Sequence, residues 1–207
     1  DFSLDQRSRN AYIAFTPFFN YFANYIYLNP TSGYDQYYGA GNQIFEYAES
    51  KVRRYGAELK MEYRPLTHWK VEVLGEYVRS EQLSGSKKGY TLPFSPAPSL
   101  LAGLSWFPKS STYFKESYLS LDCKWTAGQD HIVPPEEKTA GYQIFNFRAG
   151  TQVTWGKSAL QLRLQVQNMF DTKYMDHTSF YRLISLPEQG RNIVLSIGIP
   201  FGKKNSS

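Results

Sequence analysis

The sequence predicts an all-β fold, specifically an antiparallel up-and-down β-barrel that crosses a membrane. Three observations carry this expectation: apolar residues recur at every second position over many segments, several segments are longer than soluble strands, and short and long connections alternate along the chain. The composition agrees. Aromatics make up 17% of the 207 residues, including 17 Tyr and 14 Phe, and Tyr suits a boundary between lipid and water. Mean hydropathy is −0.48, and no run approaches the ~20 apolar residues of a spanning helix.

Nine strands are expected, near residues 1–7, 11–27, 45–64, 68–80, 98–107, 115–127, 142–155, 159–169 and 191–201. The 159–169 segment shows the pattern most plainly, with Leu160, Leu162, Leu164 and Val166 alternating with Gln161, Arg163, Gln165 and Gln167. In 45–64, Tyr55, Ala57, Leu59, Met61 and Tyr63 alternate with Glu58, Lys60 and Glu62. Trp69, Val71, Val73 and Tyr77 alternate with Lys70, Glu72 and Glu76, while Leu119, Leu121, Cys123 and Trp125 alternate with Ser120, Asp122 and Lys124. The 142–155 segment sets Phe145, Phe147 and Val153 against Asn146, Arg148 and Gln152, and the last strand carries Ile193, Leu195, Ile197, Ile199 and Phe201. Several of these runs match the ~9 to 11 tilted residues that cross a bilayer.

Short connections fall at 8–10, 65–67, 108–114 and 156–157, the last being Gly156-Lys157. Long ones fall at 28–44, 81–97, 128–141 and 170–190, and hold Gly33, Gly39, Gly41, Gly85, Gly89, Pro134, Pro135 and Gly141. In an outer-membrane barrel the short turns are periplasmic and the long loops extracellular, which puts Phe201 on the periplasmic side. Ten charges share the polar parity: Glu58, Lys60, Glu62, Lys70, Glu72, Glu76, Asp122, Lys124, Arg148 and Arg163. Against hydrocarbon a Lys or Arg costs ~2 to 4 kcal/mol at mid-depth, so this face is expected to line a wet lumen. The solvated face of a soluble antiparallel sheet shows the same alternation, and detergent dependence separates a soluble β-rich binding module from a barrel.

The net charge of +5 comes from scattered basic residues without a stripe, which argues against nucleic-acid binding. Cys123 stands alone and cannot form an internal disulfide. The opening DFSLDQRSRN has neither a basic nor an apolar leader segment, and the start of an exported polypeptide is expected to lie upstream. No cofactor or resident metal site is expected. His131 beside Asp130 and His177 beside Asp176 are candidate contacts for haem or a metal in the extracellular loops; the alternative is a solvated loop residue. Tyr181 and Arg182 are candidate contacts for an anionic chelate, with an Arg182–Glu188 pair as the structural alternative. Asp176, His177 and Ser179 are triad residue types, but sequence neighbours point apart and no oxyanion-hole motif accompanies them, so an enzyme is not expected. A barrel enzyme is the alternative class, which an assay against lipid or peptide would reveal.

The C-terminal stretch LQVQNMFDTKYMDHTSFYRLISLPEQGRNIVLSIGIPF resembles the last two strands of TonB-dependent receptors. Val166, Asn168, Phe170, Asp171 and Tyr174 match a V-x-N-L-F-D-x-x-Y pattern, with Met169 in place of Leu, and Pro187, Gly190, Arg191 and Phe201 match the P-x-x-G-R opening and aromatic end of the final strand. Upstream, Arg54-Tyr55-Gly56-Ala57-Glu58 opens a strand after a long loop, as in such receptors. The resemblance implies a barrel of about 22 strands closed by a plug, with residues 1–201 as its C-terminal portion, 202–207 as a polar tail and the plug absent. It further implies location in the bacterial outer membrane, import of a scarce nutrient, contact of the inward charges with the receptor's own plug, and TonB as partner through the missing N-terminal part. The P-x-x-G-R-N form is more like the iron-complex and metal-chelate branch, which makes an iron complex, haem or another metal chelate the expected ligand. The tail after Phe201 departs from members that end on the aromatic.

Overall fold

The computed structural model describes residues 2–37, 42–155 and 158–199. Nine strands form one antiparallel sheet in strict sequence order: β1 (Leu4–Arg7), β2 (Ala11–Tyr34), β3 (Gln43–Leu66), β4 (Trp69–Gln82), β5 (Ser99–Trp106), β6 (Phe114–Thr126), β7 (Tyr142–Trp155), β8 (Ser158–Gln167) and β9 (Asn192–Gly198). Among the described residues each strand pairs only with its sequence neighbours, and the sheet they form is open, with β1 and β9 at its edges. Within the last long connection a 3-10 turn, Phe180–Ile184, is capped by the Ser179 hydroxyl accepting from the Tyr181 N–H.

The main departure from the expected boundaries is at 28–44, where a loop was expected. β2 runs on to Tyr34 and β3 begins at Gln43, giving a hairpin of two 24-residue strands. Asn29, Pro30, Ser32 and Gly33 are turn-forming types, yet Asn29 and Pro30 stay in register opposite Glu46 and Phe45, and Ser32 and Gly33 fall within the register shift between Pro30 and Tyr34. Pro17, in mid-strand, is tolerated for a parity reason. The Arg64 N–H bonds the Asn10 carbonyl at 2.8 Å, so even residues in this part of β2 bond β3, and the missing donor of Pro17 falls on the β1 side. β1 and β9 are shorter than expected, and Gly39, Gly41, Gly156-Lys157, Phe201 and the tail after it lie outside the described residues.

Cross-strand register sorts the two faces. Glu58 lies opposite Glu76, Glu62 opposite Glu72 and Lys60 opposite Leu74; Lys70 faces Ser105 and Glu72 faces Gly103. The same row continues through Asp122 opposite Gly103 and Lys124 opposite Leu101, Arg148 opposite Ser120, and Arg163 opposite Gly150. All ten charged residues therefore share one face. The other face carries Leu59, Leu104, Leu121 and Leu195, which are exposed. Among the described residues the fully enclosed apolar side chains are few, with Val52 and Val133 at 0% exposure. A sheet with so small an interior holds together by its ladders and by lipid on its apolar face, because no apolar core is there to drive it.

Candidate functional site

On the polar face the charges neutralise one another in part. Lys60 Nζ lies 3.1 Å from Glu62 Oε1, Lys70 Nζ 2.8 Å from Glu72 Oε2, and Arg148 Nη2 2.8 Å from Asp122 Oδ1. Asn146 Nδ2 donates to the other Asp122 oxygen at 2.7 Å, leaving that buried carboxylate fully engaged. Glu58, Lys60, Glu76 and Lys124 line a hollow of about 580 Å³ on this face. Glu76 accepts from Ser99 at 2.9 Å, and Arg163 donates to Gln161 at 3.3 Å.

At the long-loop end, three connections, 83–98, 127–141 and 168–191, close on one buried carboxylate. Glu136 Oε1 accepts the Phe94 N–H from the first loop at 2.9 Å and Arg182 Nη2 from the third, while Glu136 Oε2 accepts the Val133 N–H at 3.4 Å. Arg182 also donates Nε to the His177 carbonyl at 2.7 Å and lays its guanidinium over the Phe94 ring, 4.6 Å from the centroid. Phe94 stacks with Phe180 at 4.8 Å, and Phe45 from the β2–β3 hairpin joins both rings. The loops thus have an aromatic and ionic core of their own.

His177 belongs to that core. It is 3% exposed, its Nδ1 meets Thr139 Oγ1 at 3.1 Å, and its Nε2 stands 3.9 Å from Glu136 Oε1. Burial first, and the Arg182 charge second, push the imidazole down to about 4, against the opposing pull of Asp176. The carboxyl of Asp176 is resisted by burial but is held below its ordinary value by bonds from Thr178 and Tyr142.

The four candidate ligand contacts separate accordingly. His177 and Arg182 are buried in the loop core, and Arg182 pairs with Glu136 rather than with Glu188. His131 is on the outward side, with Nε2 3.0 Å from Arg79 Nη1. Tyr181 is 55% exposed on the 3-10 turn. Glu136 and Phe94 were not candidates on sequence; a glutamate in a Pro-rich loop carries no local signal of burial.

The C-terminal motif is a loop clamp. Asn168, 3% exposed with φ of 46°, accepts the Thr172 N–H at 2.9 Å and donates to the carbonyls of Thr172 and Gln189. Asp171, also in the left-handed region, accepts the Arg191 N–H at 2.9 Å. Gly190 lies so close that an added Cβ would stand 2.5 Å from Asp171 Oδ1, which explains the glycine beside Arg191. Tyr174 stacks on Tyr142 at 4.2 Å and Phe170 meets Phe145 edge-on at 5.3 Å, fixing the loop to β7.

A family model described as TonB dependent receptor-like, beta-barrel, matches residues 1–169. Among solved structures, the copper transporter OprC superposes with a TM-score of 0.75 at 16% identity, covering 94% of this chain and 30% of that one. The ferric preacinetobactin receptor BauA from Acinetobacter baumannii gives 0.67 at 14% identity over 94% and 28% of the two chains. The ferric citrate transporter FecA, unliganded, gives 0.65 at 18% identity over 93% and 29%. At these identities the likeness concerns the fold, and the chain spans less than a third of each of these structures.

Proposed function

Because this chain belongs to the TonB-dependent receptor family, as part of the outer-membrane β-barrel, we propose that it forms lumen wall and extracellular mouth in a receptor that imports a metal chelate, an iron complex or haem foremost. The observation that carries the reading is the two-faced sheet: charged residues on five strands, β3, β4, β6, β7 and β8, share one face while apolar side chains cover the other. Such a wall tolerates water and a plug on one side and acyl chains on the other.

In this reading the paired charges of the inner face, Lys60–Glu62, Lys70–Glu72 and Arg148–Asp122, offer hydrogen bonds to the receptor's own plug without leaving a strong net field. Arg163, Glu58, Glu76 and Lys124 extend the same surface. TonB acts on the receptor through segments outside this chain. The clamped loops hold the mouth in shape, and Tyr181, exposed on its 3-10 turn, is the remaining loop candidate for touching the cargo, since a phenol both stacks and donates. The metal-complex cargo is supported by the structural neighbours, which are a copper transporter, a ferric preacinetobactin receptor and a ferric citrate transporter.

The test is uptake by cells carrying the full-length receptor, using a panel of radiolabelled ferric chelates, haem and copper complexes. TonB-dependent accumulation of one of them, weakened in Tyr181→Ala, is expected. Uptake of a metal-free sugar or peptide in place of every metal complex would overturn the cargo assignment while leaving the barrel intact.

A further inference from the structure

The outward row of β4 reads Trp69, Val71, Val73, Gly75 and Tyr77, and then Arg79. From Trp69, stacked on Trp106 at 6.2 Å, to Arg79 the row covers about 34 Å of strand, or about 26 Å of depth at a barrel strand's tilt of about 40°. That is close to the apolar band of ~25 Å that a barrel presents to lipid. Arg79 therefore stands at headgroup level on the long-loop side, on the face that meets lipid. Tyr55 lies directly opposite it on β3.

A guanidinium here is always charged and needs an anion. Glu81, two residues along the same row, gives its Oε2 to both Nε and Nη2 of Arg53, at 3.0 and 2.6 Å. The partner that Arg79 does have is His131 Nε2 at 3.0 Å, and since arginine can only donate, that nitrogen accepts. Among the described residues no carboxylate reaches Arg79, and the rest of its fork is without an acceptor. The fork geometry matches a phosphate, and the leaflet at this level is the outer one.

We propose that Arg79, flanked by Tyr55 and Tyr77 and oriented by His131, is a docking site on the outer wall for the phosphorylated headgroup of an outer-leaflet lipid. The arginine supplies two donors to the phosphate, the tyrosines pack beside the headgroup, and His131 holds one guanidinium nitrogen so that the others aim at the membrane.

The test uses the full-length receptor, purified and delipidated, with purified lipid A as probe and retention read by native mass spectrometry. Wild type is expected to retain lipid A, and Arg79→Gln to bind about ten- to a hundredfold more weakly, as for loss of a charge-assisted contact. Arg79→Lys should retain an intermediate share, and Arg54→Gln, on the opposite face one residue along β3, should match wild type. Lipid A stripped of its phosphates should not be retained by wild type, an arm that needs no variant to fold. Equal retention of stripped lipid A, or undiminished retention by Arg79→Gln, would overturn the proposal. Displacement of lipid A by millimolar inorganic phosphate would reduce the site to a general anion contact and overturn it as well.

Discussion

The Arg182 guanidinium, 5% exposed, closes on the 1% exposed carboxylate of Glu136 across 46 residues of chain. A buried pair of this kind adds little to stability when intact, but removing one partner strands the other charge, at a cost of ~3 to 5 kcal/mol. Because Glu136 also accepts the Phe94 N–H, the three loops 83–98, 127–141 and 168–191 should loosen together.

Glu136→Leu in the full-length receptor is therefore expected to raise hydrogen exchange and protease cleavage in all three loops at once, while the transmembrane strands keep their protection. Arg182→Leu should give the same pattern, and the double substitution should be milder than either alone, since neither charge is then left unpaired. Loosening confined to the mutated loop would show that the loops are independent.

Acid should act on the same core. The imidazole of His177 sits at about 4 when folded and near 6.5 when exposed, so protonation favours the opened loops. The contribution of the neutral ring is complete above about pH 6.5 and is lost progressively as pH falls from there toward 4. Loop opening, read as the exchange rate divided by the intrinsic rate at each pH, should rise in wild type from pH 7.5 to pH 5. His177→Gln should flatten that rise, and the difference between the two profiles isolates the imidazole from the facing Glu136, Arg182 and Asp176.

Strand parity gives a sharp contrast between neighbours. Leu164 lies opposite Ala149 and Leu195 on the apolar face, whereas Gln165 lies opposite Arg148 on the polar one. Leu164→Arg is expected to cost ~2 to 4 kcal/mol and to lower the folded, heat-modifiable fraction on gels. Gln165→Arg should be tolerated. Equal effects would mean the face assignment of β8 is wrong.

Sidedness follows from the alternating connections. An epitope inserted at Gly85 or Pro134, both in long loops, should bind antibody on intact cells. One inserted in the Thr67-His68 turn between β3 and β4 should be reached only after the outer membrane is opened. The reverse result would invert the orientation and remove the loops from the ligand side.

What could be read from sequence is what repeats locally. β4, β6, β7 and β8 each announce themselves by alternation, and their observed bounds lie within about two residues of the expected ones, inside the usual uncertainty of strand ends. The hairpin at 28–34 escaped because Asn29, Pro30 and Gly33 carry turn chemistry, and only the neighbouring strand reveals that the ladder continues past them. The loop core escaped for a different reason. Glu136, His177 and Arg182 meet through space, with no period linking them, so sequence offers His177 and Arg182 as candidate ligand contacts and not as parts of a loop core. Asn168 and Asp171 were recognised as a motif, but their work, closing the loop onto Gly190 and Arg191, becomes visible only in the geometry.

The contact between Glu136 and Phe94 is made to a main-chain amide, and Phe94 holds that amide in place with a φ of 54°. Recognition of one loop by another here joins a backbone shape, which offers the N–H, to one ring, which carries the Arg182 guanidinium. The other exposed side chains of the first loop take no part in that contact. Substitutions there are compatible with the clamp as long as the bend that offers the N–H to the glutamate and the ring beneath Arg182 are kept.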